Sequence, residues 1–410
     1  MADQMQWANA LSTRPSLEAA IADVVQRAVS SLTAPADLGL LFISSAFASE
    51  YSRLLPLLAE QLSVPVIIGC SGGGVIGTTA KGETQELEAE AAISLTLAHL
   101  PGVNVQVFHV VAEELPDLDS SPDAWIDLIG VPPSPIPQFI LLSSAFSSGI
   151  NELLQGLDFA YPGSVIVGGQ ASAGGFGGRT ALFCNDRLHR EGTVGLALTG
   201  NIVLETIVAQ GCRPIGQPMQ ITKAERNIIL ELDEKVPLMV LRDLISSLSE
   251  QERVLAQHSL FVGVAMDEFK RALQQGDFLI RSILGVDPTA GAIAIGDVVR
   301  PGQRLQFHLR DAQASAEDLE LLLEQYQDQQ TTEPSAAAAL MFSCVGRGEG
   351  LYGKPNFDSE LFSRYVQDIP IGGFFCGGEI GPVGGSTFIH GYTSVFGICR
   401  QINAELGNNS

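Results

Sequence analysis

Leu-Gly-Leu-Leu-Phe-Ile-Ser-Ser-Ala-Phe at residues 38–47 and Gln-Phe-Ile-Leu-Leu-Ser-Ser-Ala-Phe at residues 138–146 decide the fold. Each is an unbroken apolar run of strand length, which reads as a strand buried on both faces, and both end in Ser-Ser-Ala-Phe. After the first run come Tyr51, Leu54, Leu55, Leu58 and Leu62 at helical spacing, then apolar residues 64–68 closing on Gly-Cys-Ser-Gly-Gly-Gly at 69–74. After the second come Ile150, Leu153, Leu154 and Leu157, then Val-Ile-Val-Gly-Gly-Gln-Ala-Ser-Ala-Gly-Gly at 165–175. Ser44 to Gly69 and Ser143 to Gly168 span the same distance of about 25 positions, the signature of an internal duplication.

Working outward, each copy runs into an expected hairpin, residues 92–97 with 103–110 and residues 194–198 with 202–208, around Gly102 and Gly200. A third strand, helix, strand and glycine turn lies at residues 337–380, through Ser343, Cys344, Leu361, Phe362, Tyr365 and Val366. Its hairpin strands are expected earlier, at 278–283, 292–295 and 304–308, so that its element order differs from the first two. Leu17, Ile21, Val24, Val25, Ala28 and Val29 form one face of a helix that should cover a sheet. Between the second and third copies, residues 210–236 precede a helix opened by Pro237, and the domain boundary is expected there. Ser315 and Asp318 read as the capped start of a further helix, and residues 327–335 as the loop after it.

The chain has 410 residues, 46% hydrophobic and 17% charged, the profile of a well-packed globular protein and not of a disordered one. Forty-six acids against 23 bases give a net charge of -23, with no Lys/Arg cluster to follow a phosphate backbone, so no nucleic-acid partner is expected. No secretory leader and no apolar run of about 18 residues is visible, hence no membrane span. Six cysteines without a Cys-x-x-Cys pair suit reduced thiols in a cytoplasmic protein.

Gly72-x-Gly74-x-x-Gly77 matches the dinucleotide fingerprint as a string, but residues 78–90 are polar and acidic and offer no helix to hold a pyrophosphate. The glycine turns have two readings. Glycine permits close backbone approach where strands cross, and turns at carboxyl strand ends also form crevices for small ligands. On the second reading the ligand-binding residues are Cys70, Ser71 and Gly72 of the first turn, Gln170 and Ser172 of the second, and Cys344, Arg347, Glu349, Gly377, Gly378 and Glu379 of the third. Arg347 would hold a carboxylate and Glu379 an amine, or the two would form a structural salt bridge. Cys344, beside Arg347, is either a nucleophile or a small buried hydrophobe. His and Cys residues lack metal-ligand spacing, so no metal or other cofactor is called for.

Phe-Ser-Cys-Val-Gly-Arg-Gly at 342–348 and Ile-Gly-Gly-Phe-Phe-Cys-Gly-Gly-Glu-Ile-Gly-Pro at 371–382 resemble the C-terminal half of the FIST family. Residues 40–47, Ile-Gly-Cys-Ser-Gly-Gly-Gly at 68–74, Asn185 and residues 192–200 look like its N-terminal half. The resemblance runs from about residue 37 to 400. It implies an intracellular sensory domain for small ligands such as amino acids, of the kind found in bacterial signalling proteins and eukaryotic F-box proteins, with no catalytic constellation to carry over. No kinase, cyclase or F-box segment is appended, so either a signal passes to a signalling protein partner or the protein is a free-standing binder. The expected organisation is an α/β fold with mixed sheets from repeated strand-helix-strand-hairpin units. It comprises an N-terminal helix segment (1–36), a duplicated FIST N-terminal-like domain (37–230), a FIST C-terminal-like domain (231–400) and a tail (401–410). The competing functions are a protein-interaction scaffold and a thiol-dependent enzyme using Cys344 or Cys70.

Overall fold

The computed structural model describes residues 4–145, 147–173, 179–267, 270–273, 276–329 and 335–402. Phe146, Gly174 and Gly175 of the second repeat, residues 330–334 of the expected loop and residues 403–410 of the tail lie outside the described residues. The fold is mixed α/β, and the chain forms two compact units, Met1–Val208 with Leu322–Ser410, and Ala209–Leu321.

The first unit contains three six-stranded sheets of one design. The first runs Gln6–Ser12, Ile93–His99, Leu38–Ser44, Val66–Gly72, Leu182–Cys184, Arg187–His189. The second runs Val103–Val110, Thr193–Gly200, Gln138–Ser143, Ile166–Gln170, Glu379–Val383, Ser386–His390. The third runs Val203–Ala209, Ser394–Arg400, Ala338–Cys344, Ile371–Cys376, Gly74–Thr78, Thr84–Glu88. In each, the middle two strands are parallel. Parallel neighbours need a crossover, supplied by the helices Tyr51–Ala59, Ile150–Ala160 and Phe357–Tyr365.

Strand alternation explains why the deciding runs are apolar throughout. Leu40 and Phe42 face a core shared by all three sheets, with Leu142, Val167, Phe342, Phe374 and Cys376. Leu41 and Ile43 face the helices Leu17–Ser30 and Tyr51–Ala59 on the opposite side. Gly69, Gly168 and Gly373 mark the same place in each parallel pair, where an added methyl would overlap the backbone carbonyl of Leu41, Leu141 or Met341.

The sheets exchange strands in a cycle. The hairpin after each glycine turn joins a different sheet from the strand it follows: the first repeat's enters the third sheet, the second's the first, and the third's the second. The pairings expected within residues 92–110 and 194–208 do not form. Ile93–His99 and Val103–Val110 lie in different sheets, as do Thr193–Gly200 and Val203–Ala209, because each second strand crosses to the next sheet. The order of the third repeat is also not different. Its outer strands are Glu379–Val383, Ser386–His390 and Ser394–Arg400, which follow its glycine turn as in the other two repeats. The place next to Ile93–His99 is filled by Gln6–Ser12, a strand that the sequence reading missed.

The strands assigned to the third repeat from sequence belong instead to the second unit, a closed barrel. Its order is Cys212–Glu225, Ile228–Leu232, Ile293–Ile295, Phe278–Val286, Leu260–Ala265, Arg304–Arg310. Ile221, Ile229, Val262, Ile295, Leu305 and Phe307 fill it. Residues 210–236, expected to hold a domain boundary, contribute two barrel strands, and the helix Pro237–Ser247 begins at its proline as expected. The helix Ala312–Gln329 starts three residues before Ser315, with Asp311 Oδ1 accepting the Ala314 N–H at 2.7 Å. Ser315 instead donates to the Gly211 carbonyl at 2.9 Å.

Candidate ligand site

All of the predicted site residues fall in the first unit, where the carboxyl ends of the three parallel pairs bring the glycine turns together. Ser71 Oγ donates to the Ser172 carbonyl at 3.2 Å and accepts from the Ala181 N–H at 3.0 Å. Ser172 N–H returns a bond to the Ser71 carbonyl at 3.1 Å. Ser172 Oγ accepts from the Gly73 N–H at 2.7 Å and donates to the Phe375 carbonyl, so one hydroxyl ties all three turns. Gln170 N–H donates to the Gly378 carbonyl at 2.7 Å, and Gly377 N–H to the Gln170 carbonyl at 2.9 Å. The close-approach reading of the glycines has its counterpart in these backbone contacts, and Gly377 and Val345 remain exposed beside them. Cys70 and Gly72 are buried beneath it, and burial holds the Cys70 thiol well above its ordinary pKa.

Arg347 follows the strand Ala338–Cys344 and is completely buried. It has a carboxylate already: Nε and Nη2 meet Asp358 Oδ2 and Oδ1 at 2.7 and 3.0 Å, a bidentate pair. Nη2 also donates to Tyr352 Oη at 2.6 Å, Tyr352 donates to Asp358 at 2.8 Å, and Nη1 reaches the Tyr392 carbonyl at 3.3 Å. Glu349 is exposed, and its backbone N–H is bound by Glu88 Oε1 at 2.7 Å.

Glu379 is completely buried where the chain leaves the third turn. One oxygen accepts the Thr393 N–H at 3.1 Å, the other has no hydrogen-bond partner, and the Cys344 thiol donates to the carboxyl. Burial raises its pKa to about 8, against the opposing pull of Thr393, Cys344 and Arg347. Glu86, in Thr84–Glu88, is a second buried carboxyl that feels the Arg347 charge. Burial first, and then the Asp358 charge, raise it to about 7, and the Ser359 N–H reaches it at 2.7 Å. The region therefore holds one fixed cation, one paired carboxylate and two carboxyls that exchange protons near neutral pH.

Asp358, Tyr352, Glu86 and Thr393 were missed. Asp358 looks like an ordinary acid in the first turn of a helix, and Glu86 sits in the acidic stretch 78–90, so no spacing signals their burial. That stretch is a strand, turn and strand, which confirms that the glycine string at 72–77 lacks the helix a dinucleotide needs. A separate polar cleft of about 1000 Å³, lined among others by Asn9, Thr78, Gln85, Asn356 and Ser359, contains none of the predicted residues. Asn356 and Ser359 both hold Glu86, so the cleft adjoins the buried charges from the outside. Among the described residues no cluster of His, Cys, Asp and Glu is arranged for a metal, and no helix is long and apolar enough to cross a membrane.

Residues 37–235 match the FIST N domain and residues 237–382 the FIST C domain. An uncharacterized protein of Mycobacterium tuberculosis is 34% identical over 386 residues, covering 94% of this chain and 97% of that one. An uncharacterized protein of Mycobacterium bovis is 32% identical over 383 residues, with 93% and 95% covered. An F-box/LRR-repeat protein of Arabidopsis thaliana is 29% identical over 116 residues, 25% of this chain and 22% of that protein. The chain belongs to the FIST family. The junction of the two family segments falls inside the closed barrel, which takes strands from both, whereas the three repeats share one compact unit.

Proposed function

We propose that the protein is a sensor that binds a small polar metabolite, of which amino acids are the first class to test, in the crevice where the three glycine turns meet. Binding there is passed on to a signalling partner. The observation that carries this reading is the Ser172 hydroxyl bonded to Gly73 and Phe375: a ligand at the lip touches three turns that belong to three different sheets. A contact of that kind has leverage on the whole unit, as a sensor requires. FIST domains are regarded as ligand-binding sensory domains, and the similar segment in the Arabidopsis protein accompanies an F-box and leucine-rich repeats in its name, in keeping with a sensor coupled to a separate output. Arg347 and Glu379, both completely buried, are framework groups in this reading, since a ligand carboxylate would have to displace Asp358; a ligand would make its contacts beside the exposed Gly377 and Val345.

A thermal-shift screen of amino acids and central metabolites tests it. A ligand at about 100 times its Kd should stabilise the chain by about 2.7 kcal/mol. Val345→Trp, at the exposed lip, should abolish that shift without altering the melting temperature of the free protein. No shift with any compound, or a shift indifferent to Val345→Trp, would sink the reading.

A further inference from the structure

Cys344 and Cys376 are direct partners in the register of the third sheet's parallel pair. Neighbouring strands lie about 4.8 Å apart, inside the Cα separation of about 4.4 to 6.8 Å that a disulfide spans. Alternation puts both side chains on one face, the face on which Leu340, Phe342 and Phe374 enter the shared core. The two differ in access. Cys344 is 6% exposed and stands just before the exposed Val345, whereas Cys376 is completely buried, with its thiol directed to the Phe374 carbonyl at 3.6 Å. The Cys344 thiol donates to Glu379, a buried carboxyl whose second oxygen is unpartnered. None of the six cysteines is joined in a disulfide.

We propose that Cys344 and Cys376 form a peroxide-oxidisable thiol pair at the strand ends before the third glycine turn, with Cys344 the attacking thiol, Glu379 the acceptor of its proton and Cys376 the resolving thiol. The oxidant is hydrogen peroxide or an organic hydroperoxide. Cys344 gives its proton to the Glu379 carboxylate, and the thiolate attacks the terminal peroxide oxygen. The O–O bond breaks, and the departing oxygen takes the proton back from Glu379 as water or an alcohol. Cys344 is then a sulfenic acid. Cys376 attacks that sulfur, the S–S bond forms, the S–O bond breaks, and hydroxide leaves with the Cys376 proton as water. Two thiols lose two electrons and one peroxide gains them. Burial raises the Glu379 pKa, which makes its carboxylate a better proton acceptor than an exposed one. A disulfide there would cross-link the two middle strands of the third sheet immediately before the third glycine turn, which, on the ligand-site reading above, ties the thiol state to ligand access.

The full-length protein is treated with hydrogen peroxide, its remaining thiols are alkylated, and the unreduced digest is mapped by mass spectrometry. The expected result is loss of two of the six thiols and a peptide pair joined through Cys344 and Cys376 that dithiothreitol separates. Cys376→Ser should stop the reaction at a Cys344 sulfenic acid trapped by dimedone. Glu379→Gln should slow Cys344 oxidation on the order of 100-fold near neutral pH and flatten its pH profile. Six thiols still free, a linked pair that includes Cys70, or Cys344 carried to sulfinic acid in the wild type would each overturn the proposal. The mapping needs no variant to fold and no ligand, so it fails or succeeds separately from the thermal-shift screen.

Discussion

Arg347 shows how little one residue's type says about its role. A charge among glycines at a strand end reads as a ligand contact, yet its guanidinium is spent on Asp358 and Tyr352 in the interior. Removing one partner of such a pair leaves a buried charge uncompensated. Arg347→Met should therefore cost about 3 to 5 kcal/mol, and Arg347→Met with Asp358→Leu should recover most of it, read as urea midpoints followed by circular dichroism. The two unpaired carboxyls make a pH prediction. Their folded pKa values, about 7 for Glu86 and about 8 for Glu379, lie above the unfolded value, so the folded state binds more protons between. Their contribution is complete below the unfolded pKa of about 4.3 and is lost as pH rises through 7 and then 8. Denaturation midpoints should fall over that window, and Glu379→Gln should remove the upper part of the fall. His308, lowered to about 4 by burial, works in the opposite sense, adding stability as pH rises from 4 to 6.5.

The elements of the repeats were largely legible. Apolar runs of strand length and the 3.6-residue spacing of Tyr51, Leu54, Leu55 and Leu58 are local properties, and the strands and helices form within a few residues of where those signals lie. Partners were not legible. Residues 93–99 and 103–110 carry the alternation and the Gly102 turn of a hairpin, but a strand pair is decided by which edge is free, and each strand finds its edge in a different sheet. The glycine close to Met341 tests how tight the parallel pairs are. Gly373→Ala would drive a methyl against the Met341 carbonyl, and backbone cannot swing aside as a side chain does. A loss of about 1 to 3 kcal/mol or more in urea denaturation is expected, and the same should hold for Gly69→Ala against Leu41.

For the whole molecule, the strand relay makes the first unit cooperative across its length. Gln6–Ser12 is the permuted counterpart of the crossing strands Val103–Val110 and Val203–Ala209, and it buries Trp7 and Leu11 in the core shared by the three sheets. Deleting residues 1–14 should therefore act on all three sheets and not merely fray one edge. The expected outcome is insoluble protein, or a melting temperature lowered by many degrees; a truncated chain melting with the full one would refute the relay as a source of stability. The barrel has its own core of Ile221, Val262, Leu305 and Phe307, which is why apolar runs at 278–308 could be read as strands yet credited to the wrong body.

By itself the sequence determined the paired strands and crossover helices of the repeats, the threefold recurrence and the family, because periodicity, glycine placement and literal motif repeats are written in consecutive residues. Tertiary structure alone decided that the third repeat keeps the order of the first two and that the shared core joins all three. It also decided that Arg347 is answered by Asp358, and that Cys344 stands beside Cys376 with Glu379 at hand. These are meetings of residues far apart in the chain, set by which sheet edges and buried charges remain to be satisfied once the local elements have formed.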